Sequence, residues 1–99
     1  MEKDLIYIEL FEVYKELLTK KQRELFSSHY LFDLSLAEIA EQEGGTRQSV
    51  YDAVKKVKAK LLEYEKSLCL LKKNNSLKQL ASQIDDEQIV SKIMEIVEG

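Results

Sequence analysis

The side chains with most chemistry to offer lie together at Thr46, Arg47, Gln48, Tyr51, Asp52, Lys55, Lys56 and Lys58. On a helix begun by Thr46, they share an outward face. Arginine and glutamine can pair with base edges. Tyrosine can stack on a base or bond a phosphate, and the lysines can neutralise phosphates. The open amides at the helix start, near Arg47 and Gln48, can hold a phosphate as well. Asp52 works against a polyanion and is expected to orient Arg47 or Lys56 along the helix. The chemistry on offer is nucleic-acid binding, although an ordinary solvated helix face would carry the same lysines.

Catalytic chemistry finds little support. His29 is the only histidine and has no acid or cysteine at ligand spacing, so it reads as a structural or surface residue. Cys69 is the only cysteine, with no histidine nearby in sequence. It lies beside an apolar seam, where a structural thiol is expected rather than a nucleophile. The adjacent glycines precede Thr46 without a GK[ST] motif, so they form no phosphate-cradling loop. No His/Cys cluster could hold zinc. Asp85-Asp86 reads as helix capping. The expectation is a non-enzyme with no cofactor and no metal.

Charge is unevenly placed. The net charge is −3, but residues 44–73 carry eight basic and three acidic side chains, whereas residues 1–43 carry five and ten. The positive charge is gathered around the candidate helix, which favours a polyanionic partner there. A single cysteine allows no intramolecular disulfide, the start is acidic, and no apolar run could span a membrane. A cytoplasmic protein without membrane contact is expected.

The elements that must position this helix are legible from caps and periodicity. With no proline and three glycines in 99 residues, long helices and short loops are expected. Hydrophobic residues make up 44% of the chain, enough for a core without staples. The first helix is expected over about 3–18, apolar on more than one stripe. Thr19-Lys-Lys-Gln22 is a capping box opening a helix over about 20–33, with Leu25, His29 and Phe32 on one stripe. Ser35-Leu-Ala-Glu38 opens a short helix over about 36–43. Thr46 caps a long helix over about 47–73. Ser76-Leu-Lys-Gln79 and Asp85-Asp-Glu-Gln88 read as further boxes, opening helices over about 77–84 and 86–98. Asn74-Asn75 reads as a hinge. The expected fold is all-α: a single helical domain over 1–99, with a long helix and C-terminal helices.

Residues 35–54 have the spacing of a helix-turn-helix, placed at about 35–60. Ala40 is the small residue at the crossing, and Gly44 supplies the positive φ of the turn. Thr46 caps the second helix, and Val50 is the buried residue four positions on. Leu36, Ile39 and Val54 complete the apolar interior. Two positions dissent. An apolar plug usually follows the turn glycine, and here Gly45 stands instead, at a cost of about 1–2 kcal/mol of apolar burial. Glu43 opposes the dipole in the last turn of the first helix. Beyond the motif, Val50, Val54, Val57, Leu61, Tyr64, Leu68 and Leu71 form a heptad seam. It is expected to pack against the first and C-terminal helices, or, with the apolar first helix, to form a homodimer.

The combination Leu17-Leu-Thr-Lys-Lys-Gln22, Tyr30-Leu, Ser35-Leu-Ala-Glu-Ile-Ala40, Arg47-Gln-Ser-Val-Tyr-Asp52 and Leu61-Leu-Glu-Tyr-Glu-Lys66 resembles the YlxM family over about residues 5–73. These are small bacterial proteins linked to the signal recognition particle pathway. The helix-turn-helix alone also resembles the fourth region of sigma-70-type transcription factors. The resemblance implies an all-helical fold, DNA or RNA binding, and a regulatory connection with protein targeting. The partner would then be the particle's RNA or its GTPase protein. The alternative is a sequence-specific DNA-binding regulator unrelated to targeting. As a dimer, that regulator would set its recognition helices about 34 Å apart, or an integral number of helical turns.

Overall fold

The computed structural model describes residues 2–99. They form six α-helices and no strand: α1 (Glu2–Tyr14), α2 (Lys20–Phe26), α3 (Leu36–Glu43), α4 (Arg47–Leu68), α5 (Leu70–Ala81) and α6 (Glu87–Glu98). An all-α fold is what the scarcity of turn residues requires. The chain divides into two compact units, one ending at Ser67 and the other spanning Leu68–Gly99.

The first unit is built around an aromatic stack. Phe11 of α1 lies on Phe26 with ring centroids 4.4 Å apart, and Phe26 lies on Tyr30 at 4.6 Å. Leu10, Phe11, Tyr14, Leu18 and Phe26 are buried with Val57 and Leu61 of α4. Two hydroxyls tie the chain around α1 to the far part of α4. Tyr14 donates to Glu65 Oε1 at 2.6 Å, and Tyr64 donates to the Leu17 carbonyl at 3.3 Å.

Neither of the first two helices runs as far as its periodicity suggests. α1 ends at Tyr14 and tightens into a single 3₁₀ turn, Lys15–Leu17, after which Leu18 is extended. No glycine or proline announces this stop. The Arg23 guanidinium supplies it by donating to the carbonyls of Leu18 (2.9 Å) and Lys15 (3.4 Å), which replaces helical partners. α2 opens with the expected Thr19–Gln22 capping box. It then widens after Phe26 into a π turn, Ser27–Leu31. The extra residue rotates the chain beyond it, so Phe32 leaves the stripe it would share with Leu25 and is 71% exposed. His29 secures the turn: its Nδ1 lies 2.9 Å from the Leu34 carbonyl, and its ring meets Tyr30 edge-on.

The long helix is also shorter than the heptad seam implies. Val50, Val54, Val57 and Leu61 are buried, but Leu68 is 44% exposed, and Leu71 belongs to the next helix. The break is at Cys69, whose φ of 55° is left-handed. Asn74-Asn75 is therefore not a hinge but lies inside α5, and the Ser76 box opens no helix. A favourable local pattern does not start a helix where one is already running. In the second unit α5 packs on α6, which Asp86 caps by accepting the amides of Gln88 (3.0 Å) and Ile89 (3.3 Å).

Candidate nucleic-acid interface

The site begins with α3. Ser35 accepts the Glu38 amide and Glu38 accepts the Ser35 amide, each at 3.1 Å, which fixes the start of the helix. Ile39 and Ala40 then point inward, where they form one cluster with Val50 and Val54 of α4, fringed by Leu25, Tyr30, Leu34 and Leu36. The turn is made by Gly44 at φ 79°. The amides of Gly44 and Gly45 both donate to the Ala40 carbonyl, at 2.9 and 3.1 Å. The Gly44 bond is that of an αL cap and the Gly45 bond the longer one of a Schellman motif, and together they close the C-terminus of α3. The missing plug at Gly45 does not undo the turn. It leaves a cleft of about 310 Å³ between α2, α3 and α4, lined by Leu25, Ile39, Gly45, Val50 and Ala53.

Thr46 starts α4 through a reciprocal cap with Ser49. The Thr46 amide donates to Ser49 Oγ and the Ser49 amide to Thr46 Oγ1, both at 3.0 Å. Val50 and Val54 are thereby turned onto α3. At 100° per residue, that same rotation turns residues 48, 52 and 55 the other way and sets residue 51 to the side, whereas Arg47 falls on the Val50 side and is exposed because it opens the helix. Thr46, Arg47, Gln48, Tyr51, Asp52, Lys55 and Lys56 are all exposed. Asp52 is oriented differently from the expectation, because its Oδ1 accepts from Gln48 Nε2 at 3.1 Å rather than from Arg47 or Lys56. The amide sits one turn before the acid on the same face and needs no long side chain to fold back.

Lys58 follows Tyr51 and Lys55 along one side of α4 but is half-buried. Its ammonium is drawn towards α1 and lies 4.5 Å from the centre of the Tyr7 ring and 5.7 Å from that of Tyr30. Interaction with the Tyr30 side chain raises the Lys58 pKa above the ordinary lysine value against the opposing effect of burial, with help from Tyr7 and Asp4. Lys58, Lys55 and Tyr51 share a groove of about 420 Å³ with Tyr7, His29 and Tyr30. Tyr7 and Tyr30 escape a reading of the local sequence because they reach α4 only through the tertiary fold. The aromatic content of α1 and α2 reads equally well as core.

Among the described residues, no three His, Cys, Asp or Glu side chains are placed to hold a metal ion, and no helix is long and apolar enough to cross a membrane.

A capped second helix packed across a short first helix, joined by a left-handed glycine and exposing a polar face, defines a helix-turn-helix protein. The chain belongs to the family UPF0122, described as "Putative helix-turn-helix protein, YlxM / p13 like", which it matches over residues 1–98. It is 44% identical over 96 residues to the UPF0122 protein YlxM of Bacillus subtilis, covering 90% of this chain and 87% of that protein. A UPF0122 protein of Halalkalibacterium halodurans is 43% identical over 94 residues, and one of Bacillus anthracis is 41% identical over 95. Each of these covers 91% of this chain and 86% of the relative.

Proposed function

We propose that this chain is a non-enzymatic regulatory protein of the cytoplasm that binds nucleic acid through the exposed face of α4. One observation carries the reading. Burial of Val50 and Val54 on Ile39 and Ala40 leaves Gln48, Tyr51, Lys55 and Lys56 exposed along α4, with Arg47 exposed at its first position. The first residues of such a helix are those that reach base edges in helix-turn-helix complexes, and the lysines beyond them can meet phosphates.

The resemblance carried by Thr19-Lys-Lys-Gln22, Ser35-Leu-Ala-Glu-Ile-Ala40 and Arg47-Gln-Ser-Val-Tyr-Asp52 supports a role in the signal recognition particle pathway. In that role the particle's RNA is the ligand and its GTPase a further partner. The exposed Arg47-Gln48 pair at the head of α4 equally favours a regulator that reads duplex DNA and has no part in targeting.

A binding titration across salt concentrations separates the two readings. It uses matched duplex DNA and signal recognition particle RNA, with Arg47→Ala and Lys55→Ala alongside the parent protein. Preferential RNA binding that both variants weaken supports the targeting role, and preferential DNA binding supports the regulator. No affinity for either at low salt would overturn the proposal.

A further inference from the structure

From the groove between α1, the π turn and α4, we infer that this protein accommodates an unpaired RNA base, stacked on Tyr51, with the flanking phosphate held by Lys55 and Lys58. The inference rests on the proposed nucleic-acid binding and adds a ligand feature to it. Tyr51, Lys55 and Lys58 succeed one another at spacings of four and three along α4, so they line one wall of the groove. Tyr7, His29 and Tyr30 line it from α1 and the π turn. The rings of Tyr30 and His29 are engaged with each other, and those of Tyr7 and Tyr30 face the Lys58 ammonium. Tyr51 is different. It is 47% exposed and its ring meets no other aromatic ring among the described residues. It offers a half-exposed ring in a groove that two cations also line.

The chemistry of RNA gives this arrangement a use. The major groove of an A-form helix is too deep and narrow for side chains to read, so sequence-specific RNA recognition falls on unstacked bases laid against aromatic side chains. A recognition helix alone would therefore serve RNA poorly, whereas a helix bordered by an aromatic, cationic groove would serve it well. Lys58 is already held in the groove by Tyr7 and Tyr30, so less side-chain freedom is lost when a phosphate arrives.

The test compares two RNA hairpins that differ by one unpaired adenine in the stem, titrated against the parent protein, Tyr51→Leu and Tyr51→Phe. Because Tyr51 is half exposed, both variants are expected to keep the parent's thermal melt. The unpaired hairpin should bind about tenfold tighter, as one base stacked on an aromatic ring warrants. Tyr51→Leu should bring the ratio close to one, and Tyr51→Phe should keep it. Placing 2-aminopurine at the unpaired position should show its fluorescence quenched on binding. Equal affinity for the two hairpins would overturn the groove inference and leave the α4 interface standing. Binding of duplex DNA but neither hairpin would also overturn it. Failure of every nucleic acid to bind would remove both readings.

Discussion

Thr46 and Ser49 hold each other at the head of α4, each backbone amide donating to the other's hydroxyl at 3.0 Å, while Ser49 Oγ also donates to the Thr46 carbonyl at 2.8 Å. A glutamate or glutamine usually fills the Ser49 position of such a box. Serine keeps the cap compact and uncharged next to Arg47. Thr46→Ala and Ser49→Ala should each lower stability by about 1 kcal/mol in urea unfolding. The double variant should cost clearly less than the sum, because each change already breaks the shared box. Full additivity would mean the two caps act independently.

The same serine decides what Gly45 can become. A Cβ on Gly45 would lie 2.9 Å from Ser49 Oγ, an atom fixed by its hydrogen bonds. Gly45→Ala should therefore destabilise the parent protein, by about 1 kcal/mol at the low end of overpacking. In a Ser49→Ala background the obstacle is gone. There the same change should stabilise by about 0.4–1 kcal/mol through the unfolded chain. A sign reversal between backgrounds is the readout, and equal effects in both would show that contact with Ser49 is not the constraint.

The helix-turn-helix was legible because its signals are local. Ser35 with Glu38, Gly44, Thr46 and Val50 all act within a few residues of one another, and each does in the structure what its type suggests. The breaks at Tyr14, at Ser27–Leu31 and at Cys69 were not legible, because no glycine or proline marks them. The first is held by Arg23 reaching back to Lys15 and Leu18, and the second is secured by His29 on Leu34. Lys58 reads as one more cation on a basic helix until Tyr7 and Tyr30 are brought beside it.

Tyr14 and Tyr64 make a contrasting pair. Tyr14 is buried and its hydroxyl meets a carboxylate at 2.6 Å, whereas the Tyr64 bond to the Leu17 carbonyl is exposed and 3.3 Å long. Hydrogen bonds to charged groups contribute roughly 1.5–3 kcal/mol, and neutral ones about 1. Because Glu65 is only half buried, Tyr14→Phe should cost about 1.5 kcal/mol, at the lower end of that range. Tyr64→Phe should cost less than half as much. Chemical unfolding of the two variants side by side checks the order, and a larger loss from Tyr64→Phe would contradict it.

Lys58 should titrate above the ordinary lysine value, because interaction with the Tyr30 side chain, aided by Tyr7 and Asp4, favours its charged form. A raised folded-state pKa makes the charged lysine a stabilising group. Its contribution is complete below the unfolded lysine value, about 10.4, and is lost as pH rises through the higher folded value. Between pH 6 and 9 the Lys58→Met variant should therefore differ from the parent by a constant amount. The gap should close only in the alkaline limb. Observation of the Lys58 side chain by NMR during titration gives the pKa directly, and a value at or below that of an unfolded-chain lysine would refute the assignment.

Cations on the α4 face and cations used by the fold should separate cleanly in binding experiments. Lys55 is exposed beside Tyr51, so a phosphate contact there should release about one counterion. Removing it should reduce the slope of log affinity against log salt by about one. Arg23 carries the same charge, but its guanidinium is committed to the Leu18 and Lys15 carbonyls. Arg23→Ala should lower the melting temperature and leave the salt slope unchanged below the melt. Lys55→Ala should do the reverse, reducing the slope with little change in melting. If the slope instead fell with Arg23 and not with Lys55, the polyanion would lie against the α1–α2 junction, and α4 would be an ordinary solvated helix.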